Sequence, residues 1–568
     1  MRRKTAWMVF ALTSVIFGVC FLWPLFQVLR GGVWIEGRFN FSYLVDVFEN
    51  PIYAEGLFNS LRLAIGTTTL ASLIGVPLAW LSNRFDFPLK KAFSALVLVP
   101  MILPPFVGAI GFQMILGQYG ALNSLLGLGP VDWLGGGRYW GVILLQSLSL
   151  YPIIYLNTAA ALANIDHAMD EAAENLGCSG FRKFRRITLP LITPGLFAGG
   201  TIIFIWSFTE LGTPMIMNFT QCASVQVFDG LKDIGSNPFP YALILVMLVT
   251  SVVIYVVGKV LLGGRSHAMQ SKAATTFSET PARGWKGLLV VLPFLAVTGL
   301  ALLPHLGVVL TAFSPPGGWY DTVLPQAYTL ANFDEALGHS MTVGSIRNSL
   351  VYSGLAVGVN ILVGLAIAYV VARSDLPVRG AVDALSMLPL AVPGLVMAFG
   401  YLSLSSMLAN TDAVKESPLL KSIFDIQTNP TFFLVVAYSV RRLPYLVRSA
   451  VAGLQQTSVS LEEAAANLGA SPLVTVRRIT VPLIMANLIA GALLAFAFSM
   501  LEVSDSLMLA QRMDHYPITK TIYELFQLIG TGKVVAAALG VWAMVFLAVT
   551  IAGSSLLLGK KMGALFRA

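Results

Sequence analysis

Twelve stretches of this sequence are long and apolar enough to cross a lipid bilayer as helices. A spanning helix needs about 20 mostly apolar residues, because every backbone N–H and C=O must find its partner within the protein. The windows lie near 6–29, 57–82, 92–116, 139–163, 194–216, 240–262, 287–313, 346–372, 381–408, 431–455, 486–510 and 535–558. Only 11% of the residues are charged, against about 25% in soluble domains. The sequence predicts an all-α polytopic membrane protein with about 12 transmembrane helices.

The basic residues indicate how the chain is oriented. Lysine and arginine concentrate in the loops on one side of a twelve-span arrangement, and loops of this kind lie in the cytoplasm. An even number of spans then places both termini in the cytoplasm. The apolar run near the N-terminus has no A-x-A cleavage site after it, so we predict a retained first span. These loops account for the net charge of +8, and no nucleic-acid partner is expected.

The two halves of the chain are copies of each other. Residues 171–192 and 463–484 are identical at 14 of 22 positions, and 59–88 resembles 348–377. We assign residues 1–262 to a first repeat of six spans, 263–286 to a polar cytoplasmic linker and 287–568 to a second repeat of six spans. Because each repeat has an even number of spans, the repeats are parallel and related by an axis along the membrane normal. Three residues of the third span recur: Pro100, Pro104 and Gly111 as Pro389, Pro393 and Gly400.

A polar loop is the best preserved part of the repeat, within residues 164–193 and 456–485. Its sequence predicts a short helix, a glycine turn and a second, basic helix. A solvated loop that obeys the positive-inside rule explains the arginines but not the preservation of the rest of the loop. Two docking surfaces for a symmetric cytoplasmic partner explain both the arginines and the preserved sequence of the loop, since the sequences of the flanking spans have diverged. The predicted surface residues are Glu171, Ala172, Ala173, Gly177, Arg185, Arg186, Glu463, Ala464, Ala465, Gly469, Arg477 and Arg478.

The pattern E-A-A-x-x-x-G, followed by an arginine pair and I-T-x-P, resembles the cytoplasmic loop of binding-protein-dependent ABC importer permeases. The fused arrangement of two permease repeats resembles the ferric iron permeases of that family. The resemblance implies a bacterial inner-membrane protein whose loops form coupling helices on two copies of an ABC ATPase, with a periplasmic substrate-binding protein as a further partner. It implies alternating access, with ATP and Mg²⁺ bound by the ATPase and no cofactor bound by this chain.

Other function classes find less support in the sequence. No G-x-x-x-x-G-K-[ST] motif is present, and "GTGKVV" at 530–535 lacks both the first glycine and the Ser/Thr. No H-E-x-x-H motif or clustered nucleophile and base indicates an enzyme. The histidines and cysteines are dispersed, so no metal site is predicted. A secondary carrier with six plus six spans remains an alternative, although it has no reason to keep two matched loops.

Five ionisable residues fall inside or near predicted spans, where a charge costs about 2.5–3.5 kcal/mol on insertion scales. As candidate pathway residues we take Glu210, Glu502, Asp505, Arg441 and Arg442. The carboxylates suit a cation's path or helix capping, and the arginines suit an anionic solute, an ion pair with Glu210 or Glu502, or a structural ion pair between the halves. Adjacent arginines point about 100° apart on a helix, so the two are not expected to share a partner. Ferric iron is the solute that the resemblance favours, with phosphonate, thiamine, polyamine and sulfate as alternatives.

Overall fold

The computed structural model describes residues 3–35, 37–101, 104–163, 165, 175–178, 180–233, 237–262 and 280–558. These residues form α-helices joined by short turns, 3-10 segments and π-helical segments. In the first half the elements are α1 (Arg3–Phe17), α2 (Trp23–Val33), β1 (Trp34–Ile35), β2 (Arg38–Phe39), α3 (Ser42–Glu49), α4 (Pro51–Arg84), β3 (Phe85–Asp86), α5 (Lys90–Leu96), α6 (Pro105–Leu116), α7 (Ala121–Leu126), α8 (Tyr139–Leu162), α9 (Gly180–Lys183), α10 (Leu189–Phe208), α11 (Gly212–Ile216), α12 (Ala223–Asp229) and α13 (Phe239–Leu262).

The second half repeats the order of the long helices from residue 280 onward. Its elements are β4 (Thr280–Pro281), α14 (Gly284–Phe313), α15 (Ala331–Gly338), α16 (Ser340–Arg373), α17 (Arg379–Met387), α18 (Gly394–Ala409), α19 (Asp412–Glu416), α20 (Pro418–Phe424), α21 (Thr431–Gln456), α22 (Val459–Asn467), α23 (Pro472–Thr475), α24 (Val481–Leu483), α25 (Met485–Met500), α26 (Ser504–Leu509), α27 (Ile518–Phe526) and α28 (Gly532–Leu558). Helices α4 and α16 both have 34 residues, and they start 289 positions apart, as the sequence repeat predicts.

The predicted all-α membrane fold is confirmed. Among the described residues, eight helices are long and apolar enough to span a membrane, and the number rises to eleven if three bent helix pairs count as single spans. Helix α21 has 26 residues and occupies the repeat position of α8, but it carries Arg441, Arg442 and Arg448, which make it more polar. With α21 the count reaches the twelve spans that the sequence predicts.

The third span of each half is broken, and the break follows from proline. Pro104 and Pro393 lack the N–H that would continue a helix into the following segment. The chain bends by 99° before α6 and by 94° before α18. The fifth spans are also interrupted, at 209–211 after α10 and at 501–503 after α25. Each of these predicted windows is therefore two helices rather than one.

Equivalent helices pack in equivalent ways within the two halves. In the first half α4, α8 and α10 pack against one another, and in the second half α16, α21 and α25 do the same. The first span of each half instead crosses to the other half, since α14 packs on α6 and α2 packs on α18. The two halves are thus held together by an exchange of their first helices.

Two glycines at equivalent positions allow this exchange. A Cβ added to Gly111 on α6 would lie 2.2 Å from the backbone nitrogen of Val308 on α14. A Cβ added to Gly400 on α18 would lie 2.8 Å from the carbonyl oxygen of Pro24 on α2. Small residues let membrane helices approach until their backbones touch. The repeat of Gly111 as Gly400 therefore marks the two crossings between the halves.

The end of the linker is held against the first half. Phe85 pairs with Thr280 in a short parallel ladder, and Arg283 forms a 2.8 Å ion pair with Asp86. Helix α14 begins at Gly284, so the last three residues assigned to the linker are helical, a correction to its predicted end at 286. Residues 263–279 of the linker lie outside the described residues.

We expect the Gly111→Ala substitution to destabilise the protein by about 1–3 kcal/mol, because the added methyl group must push two backbones apart. The matched control is Gly354→Ala on α16, where a Cβ meets nothing within 4 Å, so stability stays the same or rises with the better helix former. Thermal unfolding in detergent compares the two variants. Equal melting temperatures for them would contradict the proposed crossing.

Candidate functional site

A cavity of about 150 Å³ lies between the two halves. This volume is large enough for several water molecules. Both halves contribute side chains of equivalent repeat position, such as Trp206 and Phe498, and Ser149 and Arg441. The lining residues used below are Pro104, Pro105, Gln146, Ser149, Leu150, Trp206, Ser207, Thr209, Glu210, Gly394, Arg441, Arg442, Phe498 and Glu502.

The helix breaks of both halves meet at this cavity. Pro104 and Pro105 line it at the start of α6, Gly394 lines it at the start of α18, and the interruptions at 209–211 and 501–503 supply Glu210 and Glu502. Interrupted backbone inside a membrane is tolerated where it is buried in protein or lines a water-filled space. Broken helices around a midplane site are also typical of transport proteins. These breaks make the cavity the strongest candidate for a functional site.

Four charged residues form a buried network on the second-half side of the cavity, which we call the arginine cluster: Arg441, Arg442, Glu502 and Asp505. Arg441 Nη1 lies 2.5 Å from Glu502 Oε1 and 3.3 Å from Asp505 Oδ2. Arg442 donates to the second oxygen of Glu502 and, at 3.0 Å, to the carbonyl oxygen of Phe498. Each guanidinium therefore has a carboxylate partner, which offsets the large cost of charges away from water.

This network corrects two expectations from the sequence. The arginines do share a partner, because Glu502 follows the end of α25 and offers one carboxylate oxygen to each of them. The ion pairs join α21 to residues 502 and 505 of the same half, so they are not a link between the halves. Long arginine side chains explain the first result, since they reach a common group despite diverging from the helix.

Glu210 occupies the position equivalent to Glu502 but has different surroundings. Its Oε1 accepts hydrogen bonds from the backbone nitrogen and the hydroxyl of Thr213, at 3.2 and 3.3 Å. It therefore caps the first turn of α11 while also lining the cavity. Within the described part of the chain Glu210 forms no ion pair. The first half thus contributes a carboxylate without a cationic partner at the place where the second half contributes a neutralised one.

Arg441 fits because its neighbour on α18 is a glycine. A Cβ added to Gly394 would lie 2.4 Å from the guanidinium carbon of Arg441. The first half has Pro105 in place of Gly394 and Ser149 in place of Arg441. The second half therefore has both the added charge of Arg441 and the space beside Gly394 that holds it. The cavity is asymmetric although the helices around it are repeated.

The first half lines the cavity with neutral polar groups. Gln146 on α8 accepts hydrogen bonds through Oε1 from Ser207 and Thr67, at 2.5 and 3.2 Å. Its amide nitrogen is buried and has no protein partner. This side of the cavity can therefore offer a hydrogen-bond donor to a solute or to water.

The repeated loop is described in full in the second half. Helix α22 begins after Ser458, whose hydroxyl accepts from the backbone nitrogen of Ser460. It ends in a Schellman motif, in which the backbone nitrogens of Gly469 and Ala470 donate to the carbonyls of Ala466 and Ala465. Gly469 has a φ of +81° and Gly177 has a φ of +74°. Both glycines thus have the left-handed conformation expected of the predicted turn.

The two loops present the same surface where both are described. Residues 181–190 and 473–482 follow an identical order of exposed, half-buried and buried positions, with Arg185, Arg186, Arg477 and Arg478 exposed. In each loop, two large apolar side chains at equivalent positions are more than three quarters exposed. Leu176 and Leu468 are 87% and 89% exposed, and Phe181 and Leu473 are 77% and 80% exposed.

The remaining predicted loop residues have mixed outcomes. Glu463 and Ala464 are exposed on α22, but Ala465 is buried and cannot face a partner. This corrects the predicted small-residue surface, because consecutive helical positions point in different directions. Glu171, Ala172 and Ala173 lie outside the described residues.

Several residues of these sites were not singled out from the sequence. Leu176 and Leu468 are identical in the two repeats, and that identity was the available signal. Gly394 and Gln146 have no such signal, since their roles depend on neighbours far away in the chain. Among the described residues, no group of three or more histidine, cysteine or acidic side chains could hold a metal ion.

We expect the Glu502→Gln substitution to destabilise the protein by about 3–5 kcal/mol, because it leaves two buried guanidinium groups with one carboxylate fewer. The matched control is Glu210→Gln. It keeps an acceptor for Thr213 and removes no ion pair, so we expect a cost of about 1 kcal/mol. Thermal unfolding of both variants in the same detergent tests this difference. If Glu210→Gln cost as much as Glu502→Gln, the assigned pairing would be wrong.

Known proteins match both halves of the chain. A family model described as "binding-protein-dependent transport system inner membrane component" matches residues 71–265 and again 360–555. The chain is 28% identical over 478 residues to a ferric transport system permease protein of Actinobacillus pleuropneumoniae, covering 82% of this chain and 64% of that protein. It is 24% identical over 514 residues to an Fe(3+)-transport system permease protein of Haemophilus influenzae, covering 89% and 90%.

A third relative matches less than half of the chain. The chain is 29% identical over 246 residues to a putative 2-aminoethylphosphonate transport system permease protein of Salmonella choleraesuis, covering 42% of this chain and 79% of that protein. The chain thus spans less than two thirds of the Actinobacillus relative but most of the other two. The two family matches together cover more than half of the chain and follow the internal repeat. The chain belongs to the family of binding-protein-dependent transport system inner membrane components.

Proposed function

We propose that this chain is the membrane-spanning subunit of an ABC importer, that two copies of an ABC ATPase bind its repeated loops, and that its solute is ferric iron. The observation that carries the proposal is the matched surface of the two loops, with Leu176 and Phe181 exposed in one and Leu468 and Leu473 exposed in the other. Exposed apolar groups rimmed by charged residues are typical of protein interfaces.

The loop surfaces fit a symmetric partner that supplies energy. Each surface combines two strongly exposed apolar side chains with an exposed arginine pair at equivalent positions, although the exposed Arg182 of the first loop is Val474 in the second. Two identical subunits can each bind one such surface, because a two-fold axis relates the halves. The chain itself has no nucleotide-binding motif, so ATP hydrolysis is assigned to the partner. We place this loop face, and with it both termini, in the cytoplasm.

The solute passes between the halves through the central cavity in this proposal. ATPase closure moves the loops, and the two halves rock about their common axis to expose the cavity to one side at a time. A periplasmic binding protein delivers the solute to the face opposite the loops. Glu210 offers a carboxylate without an ion-pair partner in the described structure, while the arginine cluster keeps its charges paired.

Ferric iron is supported by two relatives that are named ferric transport permeases and align with both halves. Glu210 and Glu502 are oxygen donors of the type that hard cations prefer. Glu210 also caps α11 and Glu502 also binds two arginines, so these carboxylates would bind a cation weakly, which suits a conduit that must release it. An anionic solute is the alternative, favoured by the buried arginine pair and by the aminoethylphosphonate relative.

We expect the double variant Leu176→Glu, Leu468→Glu to lose the ATPase while remaining folded. Both leucines are almost fully exposed, so the fold does not depend on them, whereas buried carboxylates would oppose docking. Co-purification of the ATPase with the variant, together with thermal unfolding, measures both effects. Leu324→Glu, on an exposed leucine outside the loops, is the control and retains the ATPase. Full ATPase binding by the double variant would refute the loop assignment.

The solute is tested in liposomes that contain the permease, its ATPase and its binding protein. We expect ATP-dependent uptake of ⁵⁵Fe³⁺ presented on the binding protein, and no stimulation of ATP hydrolysis by 2-aminoethylphosphonate. If the phosphonate stimulated ATP hydrolysis and iron did not, the solute would be the phosphonate, and the assignment as an importer would stand. Uptake that persists without the ATPase would instead favour a secondary carrier.

A further inference from the structure

We propose that Glu462 is a positioning residue that joins the second loop to the membrane helices, so that a displacement of the loop moves those helices. Glu462 lies on α22, next to the exposed Glu463, but it points toward the helices. The proposal rests on the proposed function, since it assumes that the ATPase moves this loop.

The Glu462 carboxylate accepts hydrogen bonds from three side chains. The hydroxyl of Tyr369 donates to Oε2 at 2.5 Å, and Arg373 Nε donates to Oε1 at 3.3 Å. The hydroxyl of Thr480 also donates to Oε1, at 3.3 Å. We call Tyr369, Arg373, Glu462 and Thr480 the Glu462 cluster. It connects α22 with the end of α16 and with the π-helical segment Val476–Thr480 that leads to α24 and α25.

Arg373 extends the cluster to a third membrane helix. Its Nη2 donates to the carbonyl oxygens of Leu454 and Thr457, at 2.7 and 2.9 Å, and to the Thr457 hydroxyl at 3.0 Å. Leu454 and Thr457 lie at the end of α21, where the last carbonyls of a helix have no partner within it. One guanidinium group therefore binds the loop carboxylate and the end of α21 together.

The helices joined in this way lead to the central cavity. Helix α21 carries Arg441 and Arg442, and α25 ends at Met500, two residues before Glu502. The Glu462 cluster is thus linked to α21 through the contact of Arg373 with Leu454, and to α25 through the segment that contains Thr480. A loop displacement that is transmitted by Glu462 moves both partners of the cavity's ion pairs.

The environment makes these contacts stronger than those of a surface pair. The side chains of Arg373 and Glu462 are 8% and 16% exposed. Hydrogen bonds to charged groups are roughly twice as strong as neutral ones, and limited access of water strengthens them further. Ser458, Glu463 and Leu468 on the same loop are exposed instead. The outward side of the loop is therefore free for a partner, while Glu462 holds the inward side.

The first repeat has chemically matched residues at the equivalent sequence positions. Asp170 corresponds to Glu462, Arg84 to Arg373 and Thr188 to Thr480. Trp80 replaces Tyr369 and keeps a side-chain donor, its indole N–H. Asp170 lies outside the described residues, and the first repeat matches the second here by sequence. This match extends the proposal to both loops.

The Glu462→Gln substitution tests this role in liposomes that contain the ATPase and the iron-loaded binding protein. It removes the charge but keeps the size of the side chain, so we expect the ATPase to remain bound. We expect the number of ⁵⁵Fe³⁺ ions taken up per ATP hydrolysed to fall at least fivefold. Tyr369→Phe, which removes one hydrogen bond, should lower this ratio by a smaller factor. Glu416→Gln neutralises an exposed carboxylate outside the loop and should leave it unchanged.

An unchanged ratio in Glu462→Gln would overturn the proposal. The proposal would also be overturned if Glu462→Gln failed to fold or to bind the ATPase while Tyr369→Phe had a normal ratio. The cluster would then have a structural role only. Failure of the proposed function is seen separately, as absence of ATP-dependent uptake by the unmodified chain.

Discussion

The structure depends on one constraint of the bilayer, which is that a backbone group without a partner costs several kcal/mol in hydrocarbon. Helices can therefore break within the membrane only where protein or enclosed water surrounds the break. Two breaks in each half, at residues 104, 209–211, 393 and 501–503, meet at the cavity between the halves. The position of the cavity is thus a consequence of where the chain can stop being helical.

The chain contains two copies of the six-span repeat, and different parts of the repeat have diverged to different extents. The loops are identical at 14 of 22 positions, and where both are described they keep the same left-handed glycines and the same order of exposure. The cavity is asymmetric, since the first half has Ser149, Leu150 and Pro105 at the positions of Arg441, Arg442 and Gly394. A symmetric partner explains the preserved loops, whereas a single solute that passes along the axis has no need of a symmetric lining. The arginine cluster shows how an altered half keeps its new charges stable, because Glu502 binds both guanidinium groups.

Much of the fold could be predicted from the sequence, because hydrophobic length and internal repetition are properties of single segments. The twelve spans, the parallel halves and the turns at Gly177 and Gly469 follow from such local patterns. The exchange of first helices does not, since it depends on which helix Gly111 meets. The breaks after α10 and α25 were missed because no proline marks them.

The candidate site was predicted in part for the same reason. The five intramembrane charges could be named because each is costly in lipid, and Glu502 was one of the partners considered for the arginines. That a single carboxylate binds both could not be predicted, since Arg442 and Glu502 are 60 positions apart. The sequence does not distinguish Glu462 from its neighbour Glu463, because both are acidic. Only the fold shows that Glu462 points inward and that Glu463 is exposed.

The central claim is that one kind of subunit binds both loops and drives the cavity between them. The most direct measurement places a photo-crosslinking amino acid at position 176 and, in a separate variant, at position 468, in the membrane-embedded complex. The account predicts that both positions crosslink to the same ATPase subunit with similar yields. A crosslink from only one position, or crosslinks to two different proteins, would contradict it.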